Sequence, residues 1–124
     1  MERVRGLKIM KTTIEETIKL FSLEAEKKAQ ANEVGDSKTA NKSYDKTIKA
    51  VKVLKSNGSI SSLLPLLNDN RLAVRMTAAI FLLSKYENIS LPVLEAIASS
   101  EGILAFTAEM TITEWKKGNL NDYL

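Results

Sequence analysis

Apolar residues recur every three or four positions along almost the whole chain, the period of a helix with one face turned inward. Short clusters of Gly, Asn, Asp and Ser interrupt the pattern and divide it into six predicted helices. The first opens at Thr13, with Glu16 three residues on as a capping box, and ends near Gly35. Ile14, Ile18, Phe21, Ala25 and Ala29 form its apolar face. Glu15 with Lys19, and Glu24 with Lys28, are spaced for i,i+4 attraction on its solvent side. The second is capped by Asp36 or Ser37 and carries Ala40, Tyr44, Ile48, Val51 and Leu54 on one stripe. Lys38, Lys42, Lys46, Lys49, Lys52 and Lys55 lie on another stripe of the same helix. A short third helix follows Ser59, with Ile60, Leu63, Leu64 and Leu67 apolar and Pro65 placed to kink or shorten it. The fourth, over 72–86, is apolar nearly all round and is expected to be central. Ser90 caps a fifth, with Pro92 in its first turn and Val93, Leu94, Ile97 and Ala98 inward. The sixth holds Ile103, Leu104, Ala108, Ile112 and Trp115, and stops at Gly118 after Lys116 and Lys117. Nothing in the pattern predicts a strand.

Six helices joined by short turns pair as three antiparallel hairpins. The last two hairpins repeat weakly at an offset of 30: Leu64 corresponds to Leu94, Leu67 to Ile97, Val74 to Leu104, Ala78 to Ala108 and Leu82 to Ile112. One hairpin cannot bury its apolar face alone, so stacked hairpins sharing one core are expected.

With 124 residues the chain is long enough for one domain with a real core. Met10 is a candidate alternative start, and residues 1–11 are expected to form a poorly ordered extension ahead of a single domain over 12–124. There is no cysteine and no histidine, which excludes disulfides, thiol nucleophiles, imidazole bases and the common zinc sites. No apolar run reaches the length of a membrane span, and no signal-peptide core is present, so the cytoplasm is expected. The net charge of +3 is unevenly spread. Residues 1–62 hold thirteen Lys or Arg against eight Asp or Glu, a net +5; residues 63–124 hold five against seven, a net −2. Such a gradient steers an acidic partner toward one end.

The stretch 63–83 resembles a HEAT repeat: a Leu-Leu helix end (Leu66-Leu67), an Asp turn (Asp69), Val-Arg (Val74-Arg75), then Ala-Ala (Ala78-Ala79) and Leu-Leu (Leu82-Leu83). The whole layout, closing on Ala108, Ile112, Trp115, Lys116 and Gly118, is similar to small bacterial HEAT-like proteins of uncharacterised function. The resemblance implies an all-α fold of three stacked hairpins, six helices in a HEAT-like right-handed α-α superhelix. It also implies that Asp69 ends the turn and that Arg75 ties neighbouring hairpins. The last repeat departs from the pattern, with Ala105 at the Arg position and Glu109 at the second Ala.

Catalytic signatures are missing. Adjacent carboxylates such as Glu15 and Glu16 face apart on a helix, and there is no glycine-rich phosphate loop or nucleophile elbow. A HEAT-like glycosylase acting on alkylated bases would need a longer chain and a basic cleft around Trp115. No catalytic residue, cofactor or metal site is therefore expected. The expected function is a non-catalytic protein-binding module whose concave surface presents Lys42, Lys46, Lys49, Arg71, Arg75, Glu109 and Glu114. Its sharper form is an immunity-type protein that neutralises a cognate bacterial toxin. The alternative is a nucleic-acid binder using the lysine stripe of the second helix. The chain itself is expected to be a monomer or a weak homodimer.

Overall fold

A computed structural model describes the backbone of residues 2–121 and the side chains of residues 13–121. The extension expected over 1–11 lies outside the residues described in full. Every regular element described is helical, as the periodicity predicts, and no strand occurs among the described residues. The order is α1 (Glu2–Glu33), α2 (Ser37–Ser56), a 3₁₀ helix η1 (Ile60–Asn68), α3 (Leu72–Ala98) and α4 (Ile103–Lys116). Five elements thus stand where six were expected. The chain divides into two compact units, Met1–Ser62 and Leu63–Leu124, and the division falls inside η1.

In the first unit α1 packs against α2 as a hairpin. Gly35, at φ 74°, turns the chain in the left-handed region. Its N–H reaches the carbonyl of Asn32 at 3.2 Å, and the Asp36 N–H reaches that of Ala31 at 2.8 Å. This pair of bonds satisfies the last carbonyls of α1, and glycine supplies the conformation without a Cβ penalty. Asp36 then caps α2 by accepting from the Thr39 N–H at 3.1 Å, as its position predicts. Those bonds, first from the side-chain geometry with Thr39, hold the Asp36 carboxyl below the usual aspartate range. At its other end α2 closes the same way: the Gly58 N–H bonds Lys55 O at 3.0 Å and the Ser59 N–H bonds Leu54 O at 2.7 Å.

Two expectations for this unit are corrected. Thr13 does not start a helix, since α1 begins at Glu2; instead the Thr17 hydroxyl donates to the Thr13 carbonyl within it. The buried face of α2 is Ala40, Ser43, Thr47, Ala50, Val51 and Leu54, whereas Tyr44 is exposed and Ile48 half-buried. Periodicity located a stripe but favoured large residues. Ala40, Val51 and Leu54 pack as expected, the small Ser43, Thr47 and Ala50 complete the face in place of Tyr44 and Ile48, and Thr47 hides its hydroxyl by donating to Ser43 O at 2.9 Å.

In the second unit α3 packs against α4. Pro65 offers no N–H to an i→i−4 ladder, and its segment is wound as the tighter 3₁₀ helix η1. Val74, Ala78, Ala79, Leu82 and Leu83 of α3 are buried, as expected of the most apolar stretch. The helix does not end at 86–90. It runs on to Ala98 through a break at Tyr86, whose φ −131° and ψ 44° leave the helical region. The boundary read from the sequence is therefore present as a kink. Ser90, expected as the cap of a separate helix, instead lies inside this one and is fully buried. On α4 the buried residues are Ala105 and Ala108, with Leu104, Ile112 and Trp115 half-buried and Ile103 exposed.

Candidate functional site

The lysines of α2 stand opposite its small buried face. Lys38, Lys42, Lys46, Lys49 and Lys52 are all exposed, because a helix that turns 40, 43, 47, 50 and 54 inward turns 38, 42, 49 and 52 outward. Lys42 and Lys49 form no ion pair among the described residues. Lys46 lies at the edge of the stripe, and its Nζ is 3.9 Å from Oε1 of Glu24 on α1.

Glu24 is the least expected member of this region. It was read as a solvent-side residue paired with Lys28, yet its side chain is 2% exposed. Its Oε1 has Lys27 at 3.7 Å and Lys46 at 3.9 Å, while Oε2 is buried with no hydrogen-bond partner among the described residues. Lys28 goes elsewhere: its Nζ lies 4.9 Å from the centre of the Tyr44 ring. Burial lowers the Lys28 pKa, and the ring face offsets part of that cost for the charged form.

Arg71 and Arg75 both turn to Asp69. The Arg71 backbone N–H and Nε donate to Asp69 Oδ1 at 2.8 and 2.9 Å, and its Nη2 donates to Oδ2 at 3.0 Å, a two-pronged grip on the carboxylate. Arg75 Nη1 donates to the Asp69 carbonyl at 2.9 Å. The side-chain bond with Arg71 is the main cause that holds the Asp69 carboxyl below its ordinary range, against a small opposing effect of burial. Asp69 does end the turn, as the resemblance implied, but both arginines secure that turn rather than standing open.

Of the remaining predicted contacts, Glu109 is exposed on α4 and Glu114 is half-buried there. Glu114 accepts from Asn119 Nδ2 at 2.6 Å and lies 4.0 Å from Lys117 Nζ. The seven predicted site residues thus divide by unit. Lys42, Lys46 and Lys49 share one face of α2; Arg71 and Arg75 share one turn; Glu109 and Glu114 lie on α4.

The sequence reading missed one surface. Ile103, Phe106 and Met110 are 50%, 64% and 47% exposed, and their i, i+3, i+7 spacing places them on one outward stripe of α4. The stripe runs into a shallow depression of about 250 Å³ that Thr107, Thr111, Glu114 and Leu120 complete. The spacing was visible in the sequence, but the alternative register through Leu104, Ala108 and Ile112 was taken as the apolar one.

Among the described residues no group of His, Cys, Asp or Glu gathers to hold a metal ion, and no helix is long and apolar enough to cross a membrane. No protein-family model matches the chain, and no curated protein and no solved structure is significantly similar to it.

Proposed function

We propose that this chain is a non-catalytic protein-binding module of the HEAT-like class, its hairpins stacking into a right-handed α-α superhelix. The partner is an acidic protein met by the basic face of α2. The observation that carries this reading is the set of exposed lysines with Lys42 and Lys49 in no ion pair among the described residues, on the unit whose sequence holds the net +5. Unpaired surface charge of one sign raises the rate of encounter with a partner of the other sign and sets its orientation. Within the second unit Arg71, Arg75, Glu109 and Glu114 are further proposed contact residues, with Asp69 and Asn119 fixing three of them. The buried Leu67, Val74, Ala78, Ala79, Leu82 and Leu83 and the Asp69 turn support the HEAT-like assignment.

The specific version is an immunity-type protein of the bacterial cytoplasm that masks a cognate toxin. The basic face matches an acidic toxin and opposes a cationic nuclease. The test compares affinity purification on the wild type and on a Lys42/Lys49→Glu variant, which keeps the Lys46–Glu24 contact. A stoichiometric acidic protein held by the first and lost by the second is expected. In parallel, a fluorescent duplex and single strand are titrated across a salt series. Nucleic-acid binding that weakens steeply with salt and vanishes in the variant transfers the α2 face to the nucleic-acid reading.

A further inference from the structure

We propose that α4 is the contact helix of a weak, two-fold symmetric homodimer, in which two copies cross antiparallel so that Phe106 of each meets Met110 of the other. The starting point is the outward stripe of Ile103, Phe106 and Met110, each exposed to about half or more on a helix whose other face packs on α3. The internal repeat says what kind of face this is. At the offset of 30, Ile103, Phe106 and Met110 correspond to Ala73, Met76 and Ile80 of α3. Ala73 and Met76 are 4% and 5% exposed, and Ile80 is half-buried. The same register is thus covered in the earlier copy of the repeat and open in the later one. On α4 this register stays apolar and open, and the occupant that shares its chemistry is another α4.

Self-complementarity supports the two-fold arrangement. With the axis at the level of Ala108, residues 106 and 110 exchange places, so the large ring and the flexible thioether face each other twice. The antiparallel crossing also pairs opposite charges and opposite helix dipoles. The basic end of each α4, Lys116 and Lys117, comes alongside the exposed Glu101 of the second copy. Lys117 is 63% exposed and only loosely held by its own Glu114 at 4.0 Å, so it is available for that exchange. The area is small. Fourteen residues of helix make a strip about 21 Å long and about 10 Å wide, on the order of 200 Å², short of the roughly 800 Å² per partner of a stable complex. The association is therefore weak and reversible.

Sedimentation equilibrium on the full chain from about 10 μM to 1 mM tests the proposal. The mass is expected to rise from that of one chain, 13.7 kDa, toward two. Phe106→Asp is expected to hold it at one chain with an unchanged helical circular dichroism spectrum, since Phe106 is exposed in the single copy. Lys42/Lys49→Glu, which leaves the Lys46–Glu24 contact in place, is expected to associate like the wild type, which separates this surface from the one proposed for the acidic partner. The geometry is read by cross-linking, which the absence of native cysteine makes clean. A mixture of Phe106→Cys and Met110→Cys chains is expected to form disulfide several-fold faster than either alone. A constant single-chain mass, an undiminished association of Phe106→Asp, or equal cross-linking in all three samples overturns it.

Discussion

Arg75 closes the turn ahead of its own helix, donating from Nη1 to the carbonyl oxygen of Asp69 at 2.9 Å. Arg71 grips the carboxylate of the same residue, so one aspartate organises the entry to α3 through both its side chain and its backbone. The Asp69 carboxyl titrates below its ordinary range because the bonds from Arg71 favour the charged form.

The sign of the pH dependence follows. The folded chain releases the Asp69 proton more readily than the unfolded chain. Its contribution to stability is therefore complete above the unfolded aspartate range and is lost as pH falls through the lowered folded value. Asp69→Asn is expected to cost about 1 kcal/mol at neutral pH, kept small because the Arg71 side chain is exposed to solvent. It is also expected to flatten the acid limb of stability. Urea denaturation of wild type and variant between pH 2 and 7 measures both effects, and an acid limb unchanged in the variant counts against the assignment.

Glu24 leads to a prediction of the opposite sign. Its carboxylate is buried, one oxygen has no hydrogen-bond partner among the described residues, and its two lysines stand at 3.7 and 3.9 Å, beyond hydrogen-bond distance. Desolvation of such a group is poorly compensated, and an apolar residue of similar size removes the cost. Glu24→Leu is expected to stabilise the chain by about 1 kcal/mol or more. Lys46→Met, by contrast, withdraws one of the two countercharges and is expected to destabilise. Denaturation midpoints of the two variants, moving in opposite directions, are the readout.

Ser90 offers a cleaner case, because its hydroxyl is fully buried with no hydrogen-bond partner among the described residues. Ser90→Ala removes an unsatisfied polar group and inserts a better helix former beyond the Tyr86 break. A gain of about 1 kcal/mol is expected from the two effects together. A loss of stability in thermal or urea unfolding would mean that the hydroxyl is bonded in solution.

The helical class, the turn at Gly35, the Asp36 cap and the apolar middle of α3 were all legible in the sequence, because each is fixed by neighbours a few residues away. What periodicity could not decide was rotation and polarity at contact faces. Ser43 and Thr47 look like solvent residues, yet they pack because they are small. Glu24 looks like half of a surface pair, yet it is covered. On α4 two apolar registers coexist, and nothing local says that the one through Phe106 is left outside. The Tyr86 region shows the same limit in another form. Pro92 and Ser90 mark a disturbance of the helix, but local composition does not distinguish a gap between two helices from a bend in one. The lysine stripe, for its part, was read correctly as exposed, since a run of charges has few alternatives.

The glycine closures at the ends of α1 and α2 bear on how the chain comes to be folded. Each ties off its helix with bonds that span no more than five residues, from Asp36 to Ala31 and from Ser59 to Leu54. These ends form without waiting for any distant segment, so little loop-closure entropy stands between a nascent helix and its partner. The α1–α2 hairpin also precedes the second unit along the chain and is synthesised before it. It can assemble on the ribosome while the second unit is still being made, and the pace of folding is then set by seating its small side chains rather than by a search for remote partners.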